Sequence, residues 1–292
     1  MSAPSYPARP RARRWLRGPQ VSGPRGERSI AWFPVAIGLT TAVVLAFLVL
    51  PIAAIFLDSS PRDLLAGLRE PAVVDALWLS LKTTAIALLL ILGAGTPAAY
   101  FLATRRFRGR AVVITLVELP LVLPPAVAGI GLLAAIGPAG ILAPIGVSFS
   151  LSTAAVVIAL TFVASPFYVR QALASFGAVD ATVVDAARTL GASEAQAFAR
   201  IVIPTAMPGL VAGTALALGR ALGEFGATLM FAGSFVGVTQ TVPLAIYNRF
   251  SIQFQDALAL SVVLVVISAA ILLSVKLVRG AEALGGVGGP RG

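Results

Sequence analysis

Arg220 and Glu224 stand four residues apart and are the only charged residues in the apolar stretch 205–230. On a helix that spacing puts them on one face, within reach of each other. Charge at membrane depth is costly, so each must meet protein, water or a partner. The spacing favours a structural salt link between the two. A second reading gives Arg220 a role in transport: it lies about 21 Å along the helix from Ala206, deep enough to line an anion route. Glu224 would repel an oxyanion, which casts it as the counter-charge limiting how tightly Arg220 could hold one. Bond-making chemistry has little to work with. His and Cys are absent, which excludes the usual zinc sites, His-based nucleophile triads, haem ligation by His or Cys, and disulfides. A phosphate-binding loop needs Gly-x-x-x-x-Gly-Lys-Ser/Thr, whereas the only lysines, Lys82 and Lys276, lie in Leu-Ser-Leu-Lys and Ser-Val-Lys-Leu. Energy from ATP can enter only through a partner.

The elements that position these charges are membrane spans. The chain is 58% hydrophobic and 12% charged, and a bilayer takes roughly 20 apolar residues per helical crossing. Six apolar runs qualify, at 31–57, 83–103, 111–136, 151–169, 205–230 and 257–275, so the fold class is an all-α integral membrane protein. The 22 basic residues are distributed unevenly: Arg9, Arg11, Arg13, Arg14, Arg17, Arg25 and Arg28 precede the first run, Arg105, Arg106, Arg108 and Arg110 follow the second, Arg170, Arg188 and Arg200 follow the fourth, and Lys276, Arg279 and Arg291 close the chain. Only Arg62, Arg69 and Arg249 fall in the alternate loops. Cytoplasmic loops carry the excess of Lys and Arg, so both termini are expected in the cytoplasm. The net charge of +10 is this topology signal plus attraction to anionic lipid, and implies no nucleic-acid partner. Residues 1–29 read as a disordered basic cytoplasmic tail, 30–279 as the transmembrane domain and 280–292 as a flexible cytoplasmic tail. Arg13-Arg14-Trp15-Leu16 is a poor twin-arginine signal, because Arg25, Glu27 and Arg28 separate it from an apolar run too long to be cleaved.

Residues 180–204 form a polar, helix-forming island between spans. Val179, Val183, Ala186, Ala187 and Leu190 share one helical face, with Asp180, Thr182, Asp185 and Arg188 elsewhere. Gly191 can take the left-handed conformation that ends a helix. Ser193 with Gln196 has the capping-box pattern for the next helix, whose apolar positions are Ala195, Phe198 and Ile201 or Val202. Pro204 limits continuation, so a turn into the fifth span is expected there. An amphipathic segment lying on lipid would also show this periodicity, but the mixed charge and small alanines suit contact with protein. Elsewhere, Pro120, Pro124 and Pro125 interrupt the third span, either as a packing kink or because the backbone lines a cavity, with Gly129 and Gly131 just beyond. Gly209 with Gly213, and Gly219 with Gly223, mark tight helix contacts that spacing does not place within or between subunits.

Asp185-Ala186-Ala187, Gly191 and Ile201-Val202-Ile203-Pro204 resemble the cytoplasmic Glu-Ala-Ala loop of permease subunits of binding-protein-dependent ATP-binding cassette importers. Asp185 replaces the usual Glu and Ile203 the usual Leu, each keeping its charge or apolar character. The stretches Glu118-Leu119-Pro120-Leu121-Val122-Leu123-Pro124-Pro125-Ala126-Val127-Ala128-Gly129 and Gly219-Arg220-Ala221-Leu222-Gly223-Glu224-Phe225-Gly226-Ala227-Thr228 are similar to the molybdate and sulfate permeases. Leu229-Met230-Phe231-Ala232-Gly233 and Thr239-Gln240-Thr241-Val242-Pro243-Leu244-Ala245-Ile246-Tyr247 are most similar to the molybdate members.

The resemblance implies a permease of the bacterial cell membrane that binds no cofactor or metal itself. It implies a second copy forming the pathway, two ATPase subunits carrying ATP and Mg, and an extracytoplasmic molybdate-binding protein. Asp185, Ala186, Ala187, Gly191, Ile201 and Pro204 would then couple to the ATPase, and Pro124, Pro125, Gly129, Arg220, Glu224 and Thr228 are the pathway or gate candidates. The substrate would be molybdate, with tungstate sharing the route and sulfate as the competing assignment. An ion-gradient-driven transporter would use intramembrane carboxylates such as Glu118 and Glu224 and leave the island without a task. A membrane-embedded enzyme is disfavoured because the spans lack a nucleophile–base pair with His, Cys or Lys.

Overall fold

The computed structural model describes residues 32–59 and 69–285; the tail 1–29, Arg62 and residues 286–292 lie outside them. The chain divides into two units, 1–51 and 52–292. The first unit holds most of α1 (Trp32–Leu57), uncharged throughout, long enough to cross a bilayer and without a buried residue.

In the second unit every described element is helical. In order they are α2 (Pro71–Thr104), α3 (Arg110–Glu118), a 3-10 turn (Leu119–Leu121), α4 (Pro125–Ile136), a 3-10 turn (Ala143–Ile145), α5 (Thr153–Gly177), α6 (Ala181–Thr189), α7 (Glu194–Ala197), a π turn (Phe198–Val202), α8 (Ile203–Leu222), α9 (Gly226–Ala232), α10 (Val242–Phe250) and α11 (Phe254–Gly285). The helix α5 is the central post. Ser152 caps it by accepting from the Ala155 amide at 3.2 Å, and it packs on α2, α8 and α9. Small residues set those contacts. A Cβ at Gly95 of α2 would stand 3.1 Å from the Tyr168 ring, beside the 2.6 Å hydrogen bond between the Thr96 and Tyr168 hydroxyls. On α8, Gly213 faces Gln171, 3.0 Å from where a Cβ would sit, and Gly209 lies directly against Ser175. The first glycine pair therefore serves a contact inside the chain. The second does not: a Cβ at Gly219 would meet nothing, and one at Gly223 only a carbonyl of its own helix.

The ends of the helices fix the number of crossings. Tyr100 and Phe176, near the C-terminal ends of α2 and α5, meet edge to face with centroids 5.6 Å apart, and Arg105 reaches Glu194 at the start of α7. Thus α2 and α5 run parallel and finish on the island's side. At the other end Arg249 of α10 pairs with Glu70 before α2 and with Asp256 in the first turn of α11. A chain that leaves α2 on one side and enters α5 from the other must cross once in between. That crossing is the pair Arg110–Leu121 and Pro125–Ile136, bent by 114° at its break. With it the described residues hold six candidate spans.

Several boundaries differ from the sequence reading. The second span begins at Pro71, well before 83, because Pro at the first helical position suits a helix start. The fifth is one helical run over Glu194–Leu222, so the chain does not turn at Pro204. A π turn precedes that proline, the Ile203 amide bonding to the Phe198 carbonyl, which shifts the hydrogen-bond register where the proline lacks a donor. The same span stops at Leu222 and restarts as α9, where a single run to 230 was expected. Finally, α11 continues to Gly285, into the segment read as a flexible tail.

Candidate functional site

The island is built by its caps. Asp180 accepts from the Thr182 amide at 2.9 Å and from the Thr182 hydroxyl at 2.8 Å, and these bonds, the backbone one foremost, hold its carboxyl below the usual range. They fix the start of α6. At its end Gly191 adopts φ +93°, with its amide on the Arg188 carbonyl at 2.9 Å and the Ala192 amide on the Ala187 carbonyl at 3.0 Å. Ser193 and Gln196 then make both bonds of the capping box, at 2.9 and 3.2 Å.

This corner turns α6 so that its apolar positions divide. Val184 and Ala187 face inward, half-buried. Val183 and Leu190 are 51% and 89% exposed, and Ala186 is exposed with them. The apolar face is thus largely offered outward. On α7 the buried residue is Ala197, not Ala195, and Phe198 and Val202 pack inward. Phe198 closes an aromatic cluster with Tyr100 and Phe176 at 4.5 and 6.1 Å. Among the ATPase-coupling candidates, Asp185, Ala186, Gly191 and Pro204 are exposed, and Ala187 and Ile201 are half-buried. Asp185 lines a cleft of about 200 Å³ together with Tyr100, Thr104, Val184, Arg188 and Glu194. Glu194 joins its walls, with Arg105 at 2.9 Å and Arg188 at 3.4 Å.

The pathway candidates meet where two interrupted spans touch. Pro124 and Pro125 start α4, and a Cβ at Gly226, the first residue of α9, would stand 2.9 Å from Pro125 Cβ. One turn on, a Cβ at Gly129 would lie 2.7 Å from the Ala227 carbonyl oxygen. Only a bare backbone fits there. Arg220 and Glu224 form an ion pair, Nη2 to Oε2, at 2.5 Å. Glu224 also takes the Ala227 amide on Oε1 at 2.6 Å. Its side chain is 1% exposed and that of Arg220 24%. The buried carboxylate thereby spans the break between α8 and α9 and fixes the guanidinium at the surface of α8. Thr228 is fully buried, its hydroxyl without a partner among the described residues. No cluster of metal-ligating side chains occurs among the described residues.

The family described as "Binding-protein-dependent transport system inner membrane component" matches residues 95–281. The chain belongs to this family. A probable molybdenum ABC transporter permease protein of Haloferax volcanii is 38% identical over 233 residues, 80% of this chain and 85% of its own. The molybdenum transport system permease protein ModB of Mycobacterium tuberculosis is 42% identical over 239 residues, 79% of this chain and 89% of its own. In fold, a bacterial ABC transporter involved in import of the polysaccharide alginate superposes with a TM-score of 0.70 at 18% identity, covering 86% of this chain and 96% of that one. The family decides between the readings left open by sequence in favour of a binding-protein-dependent transport component.

Within this inner membrane component, sequence reasoning missed two features of the site. The tie from Glu194 to both Arg188, six residues before it, and Arg105, remote in sequence, went unread, and Arg105 registered only as a topology charge. The partition of the α6 face was hidden because periodicity shows that apolar residues align, not which flank the tertiary fold covers.

Proposed function

We propose that the chain is the membrane-spanning subunit of an ATP-driven molybdate importer. Two copies form the path, separate ATPases dock on the island, and an extracytoplasmic binding protein delivers the anion. The observation that carries the reading is the run of identity to molybdenum permeases over four fifths of the chain. The exposed Val183, Ala186 and Leu190 face supports the docking role, since apolar side chains presented on a polar, well-capped island call for a protein partner. The chain holds no phosphate-binding loop and hydrolyses no ATP itself. The island and both termini lie in the cytoplasm, and the tail 1–29 provides basic contacts for anionic lipid. Closure of the ATPases shifts the islands, and the Glu194 tie carries that shift to the end of α2. In the membrane, Arg220 gives the dianion a passing contact, and Glu224 keeps that contact weak enough for release.

The test is reconstitution of the permease with its ATPase and binding protein in liposomes, followed by uptake of labelled molybdate against excess sulfate. ATP-dependent uptake that resists sulfate and yields to tungstate, a dianion of nearly the same size, is expected. Uptake abolished by modest sulfate would move the substrate to sulfate, and uptake without ATP would remove the coupling.

A further inference from the structure

The segment 137–152, which joins α4 to α5 at the end away from the island, carries no charge. Nor does anything between Glu118 and Arg170. A connection in water normally carries polar and charged side chains, but this one presents Ile141 at 81% exposure, Ile145 at 73%, Leu151 at 57% and Phe149 at 43%.

Its backbone is folded on itself. The last four carbonyls of a helix have no partner within it, and this segment supplies one to each of those of α4. Gly137 donates to Leu133, Ile141 to Ala134, Leu142 to Ala135 and Phe149 to Ile136, at 2.9 to 3.1 Å. Gly140, Ala143, Ile145, Gly146 and Val147 donate within the segment, and Pro138 and Pro144 have no amide to satisfy. Irregular backbone is excluded from lipid because its polar groups go unpaired; here most amides are paired internally while the apolar side chains are exposed. The amides of Ala139, Ser148, Ser150, Leu151 and Ser152 find no backbone acceptor, which suits the headgroup level and not the hydrocarbon centre.

We propose that 137–152 is an interfacial lipid anchor, seated in the leaflet opposite the island with Ile141 and Ile145 among the acyl chains. Lipid is the fitting occupant because the surface is uncharged and continuous with the spans α4 and α5 that it joins, and because the stretch 140–147 that carries Ile141 and Ile145 has every backbone amide paired. The anchor holds the outer end of α4, the helix packed on α9 through Gly129, at a fixed depth.

The chain has no cysteine, so single cysteines can be placed in the full-length protein and labelled with an environment-sensitive fluorophore in proteoliposomes. The sites are Ile141→Cys and Ile145→Cys, with Gln253→Cys, exposed in the α10 to α11 connection at the same end, as the aqueous reference. Expected is strong quenching of the labels at 141 and 145 by lipid carrying a shallow nitroxide, and at least tenfold weaker quenching by iodide than at 253. Iodide quenching equal to that at 253 overturns the anchor. If that quenching then disappears when binding protein is added, the face docks that protein and the lipid assignment fails. Shielding from both quenchers means that another protein surface, such as a second copy, covers the face, and also overturns it.

Discussion

Glu224 ties two groups at once, the Arg220 guanidinium on one side of the α8 to α9 break and the Ala227 amide on the other. Removing one member of a buried pair leaves the other uncompensated, at about 3–5 kcal/mol. Arg220→Ala, which leaves the buried carboxylate uncompensated, and Glu224→Ala, which strips an acceptor from the first turn of α9, are therefore each expected to lower the thermal midpoint of the purified protein. Arg220→Met combined with Glu224→Leu should recover much of the loss. Additive losses across Arg220→Met, Glu224→Leu and their combination would mean the two charges do not act as a pair. A second single-residue argument concerns Gly191. At φ +93°, with open space around a would-be Cβ, the cost of a side chain lies in the backbone alone, roughly 1–2 kcal/mol. Gly191→Val should insert and fold, yet give less molybdate transported per ATP hydrolysed in the reconstituted complex, because the corner sets how α6 faces outward. An unchanged ratio of transport to hydrolysis would take the corner out of the coupling path.

Between elements, the two glycine pairs of α8 separate cleanly. Gly209 and Gly213 lie against Ser175 and Gln171 of α5, whereas Gly219 faces open space. Overpacking a close helix contact costs about 1–3 kcal/mol, so Gly213→Leu should reduce the yield and thermal midpoint of the chain while Gly219→Leu leaves both near those of the parent. Equal damage at the two positions would contradict the arrangement of α5 and α8. The existence of the spans was legible because runs of some 20 apolar residues have few alternatives. So were the Gly191 corner and the capping box, which are local and written in consecutive residues. The breaks were not. Pro124 and Pro125 mark the α3 to α4 bend, but the 114° angle is set by packing of α4 on α9. The stop at Leu222 depends on a Glu224 carboxylate taking the Ala227 amide. Pro204 misled in the other direction, since a π turn absorbs it within a continuous helix. The Glu194 tie to Arg105 was illegible for the same reason that it matters: it bridges segments that only the folded bundle brings together.

For the whole molecule, two independent lines bear on orientation. Parallel α2 and α5, joined near their ends by Tyr100 with Phe176 and by Arg105 with Glu194, put the island and the 105–110 connection on one side of the bilayer. The segments around Gly140 and Val238 lie together on the other, the Thr153 hydroxyl donating to the Val238 carbonyl at 2.9 Å. That geometry says which segments share a side without saying which side is cytoplasmic. The basic residues supply the sign: Arg105, Arg106, Arg108, Arg110, Arg170, Arg188 and Arg200 all fall with the island, and positive charge is retained on the cytoplasmic side. Reporter fusions should therefore give cytoplasmic activity at Ala192 and extracytoplasmic activity at Gly140 and Val238. A split between Gly140 and Val238 would contradict the single crossing assigned to α3 and α4, since it would place the two ends of the bundle's outer surface on opposite sides. Agreement between them with Ala192 outside would leave the fold intact but invert it, and an inverted island has no access to cytoplasmic ATP or to the subunit that hydrolyses it.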